Sequence, residues 1–219
     1  MQPLPGPHQD QPILTAGEPL TSARAAMIMV HGRGANAADI LGLAREFTIP
    51  GFAFVAPEAA GHTWYPYSFL SPIPNNEPGI SSGLAVIGGI VANLSEAGMS
   101  ADRVILLGFS QGACLSTEFA ARHPQRFGGV IGLSGGLIGP PETPRNYPGT
   151  LDGTPVFLGC GDVDPHIPKE RVEESATVFE RMGALVTLRL YPGMPHTVNQ
   201  NEIDLVRVLM ESIVKSRLT

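Results

Sequence analysis

The chain has 219 residues, 43% of them hydrophobic, and a formal net charge of −6 from 14 Lys+Arg and 20 Asp+Glu. That length buries a sizeable core without disulfides or metals. No Lys/Arg cluster exceeds two neighbours, which leaves nucleic acid and anionic membrane surfaces without an electrostatic handle.

Read from the N-terminus, Pro3, Pro5, Pro7 and Pro12 preclude a helix, and residues 1–12 read as a loose lead-in. With neither a basic nor an apolar leader segment, a cytoplasmic protein is expected. An apolar run over 25–30 ends at His31-Gly32 and reads as a buried strand before a sharp turn. Ile40, Leu41, Ala44 and Phe47 set a helical period over 38–47, and 51–56 is a second buried strand stopped by Pro57. The segment 57–79 holds five prolines around Trp64, Tyr65, Tyr67 and Phe69 without any period. A long loop of that kind inside a compact domain is usually functional.

Ile80, Leu84, Ile87, Val91 and Leu94 form one helical face, with Gly98 placed to end it; the apolar stretch 84–94 is too short to span a bilayer. Strands are then predicted over 103–107, 129–133, 155–160 and 184–190. Helices are predicted over 111–122, 169–182 and 201–216, and 139–155 is a second Pro-rich loop. Alternating strands and helices imply one domain over 1–219 with a mostly parallel sheet and helices on both faces. The strands read as uniformly apolar, as doubly covered strands do, and ligands of such sheets collect beyond the strands' carboxyl ends.

The run Gly108-Phe109-Ser110-Gln111-Gly112 therefore stands out, because G-x-S-x-G falls directly between a predicted strand and a predicted helix. A strained turn there presents the serine hydroxyl, and the helix N-terminus favours developing negative charge. The plainer reading is a serine that caps the helix. A nucleophilic serine needs a base, and the base an orienting acid, in the chain order Ser, Asp or Glu, His. Of the six histidines, His8 lies in the lead-in, His31 precedes the serine, His62 sits in the aromatic loop, His123 ends a helix, and His166 shares a loop with candidate acids. His196 alone follows a late strand, immediately before the last helix. After the strand over 155–160 come Asp162 and Asp164; Asp164 is favoured by pattern, and Asp162 can instead bond backbone amides in the turn.

An oxyanion hole needs two amides. One is expected from Gln111 and one from the Gly32-Arg33-Gly34 turn, whose glycines let the Arg33 amide face the site. The Arg33 side chain is either solvated or paired with an acid. A rival exists in Gly32-x-Gly34-x-x-Ala37 with Glu58, a pattern like a dinucleotide fingerprint. It leaves the ordered Ser, Asp and His unexplained, so no nicotinamide is expected. The two cysteines, Cys114 and Cys160, lie outside metal-ligand spacing and read as small buried apolar residues.

Together His31-Gly32-Arg33-Gly34, Gly108-Phe109-Ser110-Gln111-Gly112, Gly161-x-x-Asp164-x-x-Ile167-Pro168 and Gly193-Met194-Pro195-His196 resemble the phospholipase/carboxylesterase branch of the α/β-hydrolases, which includes acyl-protein thioesterases. The resemblance implies an α/β-hydrolase fold, Ser110, Asp164 and His196 as the catalytic residues, and Arg33 and Gln111 as amide donors. It also likens Trp64-Tyr65-Pro66 to a loop overhanging the acyl site. A charged Arg33 stands where acyl-protein thioesterases often carry an apolar residue, which leans toward small esters.

The resulting expectation is a metal- and cofactor-free serine esterase acting on short- to medium-chain esters, with Trp64, Tyr65, Phe69 and Phe109 walling an apolar pocket. Activity should rise with pH through roughly 6 to 7 as the base becomes neutral. An acyl-protein thioesterase or lysophospholipase is the alternative substrate class, and a non-catalytic ligand-binding protein the alternative of another kind. An exposed apolar loop leaves room for a homodimer.

Overall fold

The computed structural model describes residues 6–215. Six apolar runs become strands β2 (Ala25–Val30), β3 (Phe52–Pro57), β4 (Val104–Phe109), β5 (Gly129–Leu133), β6 (Pro155–Gly161) and β7 (Leu185–Tyr191), all mutually parallel. An additional strand, β1 (Ile13–Gly17), pairs antiparallel with β3, Thr15 opposite Val55, and the sheet order is β1-β3-β2-β4-β5-β6-β7. β1 escaped the sequence reading because an outer strand exposes most of its side chains and so shows no apolar run.

Successive residues of a strand face opposite sides of the sheet. Ile28, Leu106, Val130 and Leu158 join one core, covered by α2 (Gly79–Glu96), α3 (Gln111–Arg122) and α4 (Lys169–Arg181). Met27, Ile105, Ile131 and Phe157 join the other, under α1 (Ala37–Leu43) and α5 (Gln200–Lys215). The fold is an α/β-hydrolase fold. β7 departs from the uniformly apolar expectation: it closes the other edge of the sheet, its exposure alternates, and Leu185 is 67% exposed.

The helix expected over 38–47 divides into α1, capped reciprocally by Asn36 and Asp39, and a 3-10 turn, Ala44–Glu46. α2 corrects the expectation that its apolar stretch is too short for a bilayer. Its 18 residues, with mean hydropathy 1.2, suffice by length and composition. Here Ile80, Leu84, Ile87, Ile90 and Leu94 are buried, and α2 packs on α3 as a core helix.

The loose lead-in is also corrected, for the residues described. His8 is 3% exposed. Ala60 donates its amide to His8 Nδ1 at 3.0 Å, so Nε2 carries the proton and donates to the Trp64 carbonyl at 2.9 Å. Gln9 and the His8 amide bond Ser82 of α2. Prolines prevent a helix there without preventing docking. The prolines at 3 and 5 lie outside the described residues.

Candidate active site

β4 delivers the chain to Ser110, which adopts φ 55°, ψ −120° before α3 begins. That left-handed φ is costly for a residue with a Cβ and is held by its surroundings. The Ser110 amide donates to the Leu133 carbonyl at 2.9 Å, and the Ser110 carbonyl accepts from Cys114 at 3.0 Å. Two glycines make the turn sterically possible. A Cβ on Gly108 would lie 2.2 Å from the Gly112 carbonyl oxygen, and one on Gly112 would lie 2.1 Å from that of Val30. Ser110 occupies the N-cap position, yet its side chain makes no capping bond. The hydroxyl goes elsewhere.

It faces His196. Ser110 Oγ lies 2.8 Å from His196 Nε2, and His196 Nδ1 lies 2.6 Å from Asp164 Oδ2. A carboxylate can only accept, so Nδ1 carries the proton and Nε2 is free to accept from the serine hydroxyl. The other oxygen of Asp164, Oδ1, accepts the amides of His166 at 2.8 Å and Ile167 at 3.1 Å. Burial pushes the Asp164 carboxyl up; the bonds from His196 and these two amides outweigh it and hold the group below its ordinary value. Asp162 does something different. Its Oδ1 accepts the Gly193 amide at 2.7 Å and so fastens the loop that carries His196.

The His196 ring is also packed on two sides. Phe109 lies 5.0 Å away, tilted by 35°, and His166 4.9 Å away, edge-on at 74°. Phe109 therefore buttresses the imidazole and does not line the cavity, contrary to the sequence expectation.

Gln111 opens α3 directly after Ser110, and Arg33 lies on the turn after β2, where the neighbouring Gly32 approaches Ser110. Gly34, at φ 76°, donates to the His62 carbonyl and fixes the turn. Beneath it, fully buried His31 accepts the Ala59 amide at Nε2 (3.1 Å), so its Nδ1–H donates to the Gly32 carbonyl at 2.8 Å. Burial lowers the affinity of this ring for a second proton.

Arg33 is exposed to solvent, and its side chain bonds backbone carbonyls rather than an acid. Its Nη1 donates to the Pro66 carbonyl at 2.9 Å, and its Nη2 to those of Tyr65 and Tyr67 at 2.8 and 2.7 Å. Gln111 grips the same loop with its side chain, accepting the Trp64 amide and donating to the Tyr65 carbonyl, each at 2.8 Å. Buried Asn76 bonds the Tyr67 amide and the Ser68 carbonyl, both at 2.9 Å. An asparagine in a Pro-rich loop carries no sequence signal for that role.

Between this loop and Ser110 lies a cavity of about 380 Å³. Tyr65 and Phe69 line it as expected, with Tyr67, Cys114, Ile167 and the two imidazoles of 166 and 196. Trp64 does not line it. The indole is fully buried behind the loop, donates to the His31 carbonyl at 3.0 Å, and packs on the rings of His8 and His31. Both cysteines are buried, and burial pushes each thiol up to about 12, which leaves them unreactive.

A half-buried serine on a strand-to-helix turn of a mostly parallel sheet, facing an imidazole that an acid orients, defines the class: a serine hydrolase of the α/β-hydrolase fold. The chain belongs to the phospholipase/carboxylesterase family, whose sequence profile matches residues 14–213. A crystal structure of a phospholipase/carboxylesterase from Dyadobacter fermentans superposes with a TM-score of 0.89 at 43% identity, over 95% of this chain and 98% of that one. An acyl-protein thioesterase 1 of Kluyveromyces lactis is 34% identical over 139 residues, which span 62% of this chain and 61% of that protein. The Aspergillus fumigatus acyl-protein thioesterase 1 is 29% identical over 218 residues, 86% of this chain and 88% of its own length.

Proposed function

We propose that this protein is a carboxylesterase that hydrolyses short- to medium-chain esters through an acyl-enzyme on Ser110. The observation that carries the reading is the line from Ser110 Oγ to His196 Nε2 (2.8 Å) and from Nδ1 to Asp164 (2.6 Å). His196 takes the hydroxyl proton as Oγ attacks the ester carbonyl, and Asp164 holds the resulting imidazolium and its tautomer. The Arg33 and Gln111 amides receive the oxyanion. The imidazolium then protonates the leaving alcohol, and a water activated by the same imidazole releases the acid. Every proton moves between side chains, substrate and water.

Two features support a small acyl group. The cavity of about 380 Å³ sits near the lower end of the roughly 300–1,000 Å³ typical of small-molecule sites. Its wall is a loop bonded to the body of the protein at residues 64 to 69. A second reading, thioester cleavage on acylated proteins, is favoured by the names of the Kluyveromyces and Aspergillus relatives.

A fluorophosphonate probe tests the nucleophile: it should label wild type and fail to label Ser110→Ala. Esters and thioesters of matched, graded acyl length then separate the substrate readings. Thioester kcat/KM rising toward long chains would replace the first reading by the second.

A further inference from the structure

The loop that walls the cavity has few regular bonds of its own. Between the 3-10 turns Ala60–His62 and Ile73–Asn76 it enters neither a helix nor the sheet. Carbonyls in such a segment must find donors elsewhere or remain in water. Three consecutive ones, those of Tyr65, Pro66 and Tyr67, find the Arg33 guanidinium at 2.7 to 2.9 Å. A guanidinium, planar and with five divergent N–H donors, suits three acceptors in a row. The Tyr65 carbonyl accepts from Gln111 as well. At the far end the Phe69 carbonyl accepts the Gly139 amide at 2.7 Å.

We propose that the Arg33 side chain is a positioning residue that sets acyl-chain selectivity, by fastening the 65–67 carbonyls and so fixing the cavity wall against Ser110. The proposal rests on Ser110 being the nucleophile. An acyl chain longer than the cavity fits only if the wall moves outward, and that movement breaks charge-assisted bonds to a cation. Longer chains are therefore rejected rather than accommodated. Arg33 thus has two parts in the proposal: its backbone amide belongs to the oxyanion hole of the proposed function, and its side chain fixes the surface on which the acyl group lies.

The test uses the full chain with p-nitrophenyl butyrate and octanoate, comparing kcat/KM for wild type, R33M and R33K. Methionine keeps the backbone amide and the apolar stem but none of the three bonds. Lysine keeps the charge but a single ammonium in place of the fork. In R33M the octanoate-to-butyrate ratio should rise about tenfold, the scale on which pocket size discriminates acyl groups, with R33K between R33M and wild type. The ratio does not depend on how much enzyme is folded, so loss of stability alone leaves it unchanged. A ratio in R33M equal to or below that of wild type overturns the proposal. Fluorophosphonate labelling of wild type and of Ser110→Ala is run in parallel. A flat ratio with Ser110-dependent labelling sinks the Arg33 inference alone, whereas labelling that survives Ser110→Ala sinks the nucleophile on which it rests.

Discussion

Asp162 holds the Gly193 amide at 2.7 Å, three residues before the imidazole that Asp164 orients at 2.6 Å. Two aspartates two positions apart thus divide the work, because Pro165 and the 166–167 amides turn one carboxylate inward and leave the other on the surface of the turn. Asp164→Ala should lower kcat/KM by about four orders of magnitude, the scale for losing the orienting acid of a serine hydrolase. Asp162→Ala removes one exposed bond from the loop and should cost about one order or less. Steady-state ester hydrolysis of the two variants decides the assignment. If Asp162→Ala is the more damaging, the two roles are exchanged.

His8 and His31 are both folded in the neutral form, gripping 59–64 from two sides. Burial lowers both from the ordinary 6.5. Below that pH the unfolded chain takes up protons that the folded chain refuses, so stability is full above about pH 6.5 and falls as the solution is acidified. His8→Gln removes one of the two groups, and its Tm should fall less steeply than that of wild type between pH 7 and 5. Parallel Tm curves would exclude His8 as an acid-sensitive contact.

Glu202 has the opposite sign. It lies fully buried at the start of α5, where its Oε2 accepts the Asn199 amide at 2.9 Å while Oε1 has no partner among the described residues. Burial raises its carboxyl from 4.5 to about 7, against the pull of the Asn199 amide. The folded chain keeps a proton that the unfolded chain releases from about pH 4.5 upward, so this stabilisation is complete in acid and is lost as pH rises through about 7. Glu202→Gln cannot ionise. The Tm difference between variant and wild type should therefore grow in favour of the variant from pH 5 to 9. A constant difference would show that Glu202 does not titrate in that range.

Most of the sheet was legible because fully buried parallel strands are written as uninterrupted apolar runs, and Gly108 and Gly112 mark a turn that no Cβ can enter. The ordered Ser110, Asp164 and His196 followed from that turn. What escaped has a common cause. β1 lies at an edge and carries little burial signal, and His8 docks through its ring nitrogens, which no periodicity records. Trp64 was expected in the cavity from its position in an aromatic loop, but its indole N–H finds the His31 carbonyl on the core side. Arg33 is exposed, and its further partners escaped because they are backbone carbonyls, to which side-chain identity gives no clue.

The His196 ring keeps both of its bonds only in one rotamer, and two neighbours hold it there. Phe109 packs 5.0 Å from one side and His166 stands edge-on at 4.9 Å, while the His196 side chain remains 17% exposed. An aromatic pair of this kind contributes about 0.5–1.5 kcal/mol beyond its buried area. Removing one should let the imidazole leave the line for part of the time and lower kcat roughly two- to tenfold, by the same free energy. His166→Ala tests this directly, since the His166 amide that supports Asp164 is retained. His166→Phe restores a ring without a titratable group and should recover most of kcat. Recovery by His166→Gln but not by His166→Phe would mean that a polar contact, not ring packing, is what residue 166 supplies.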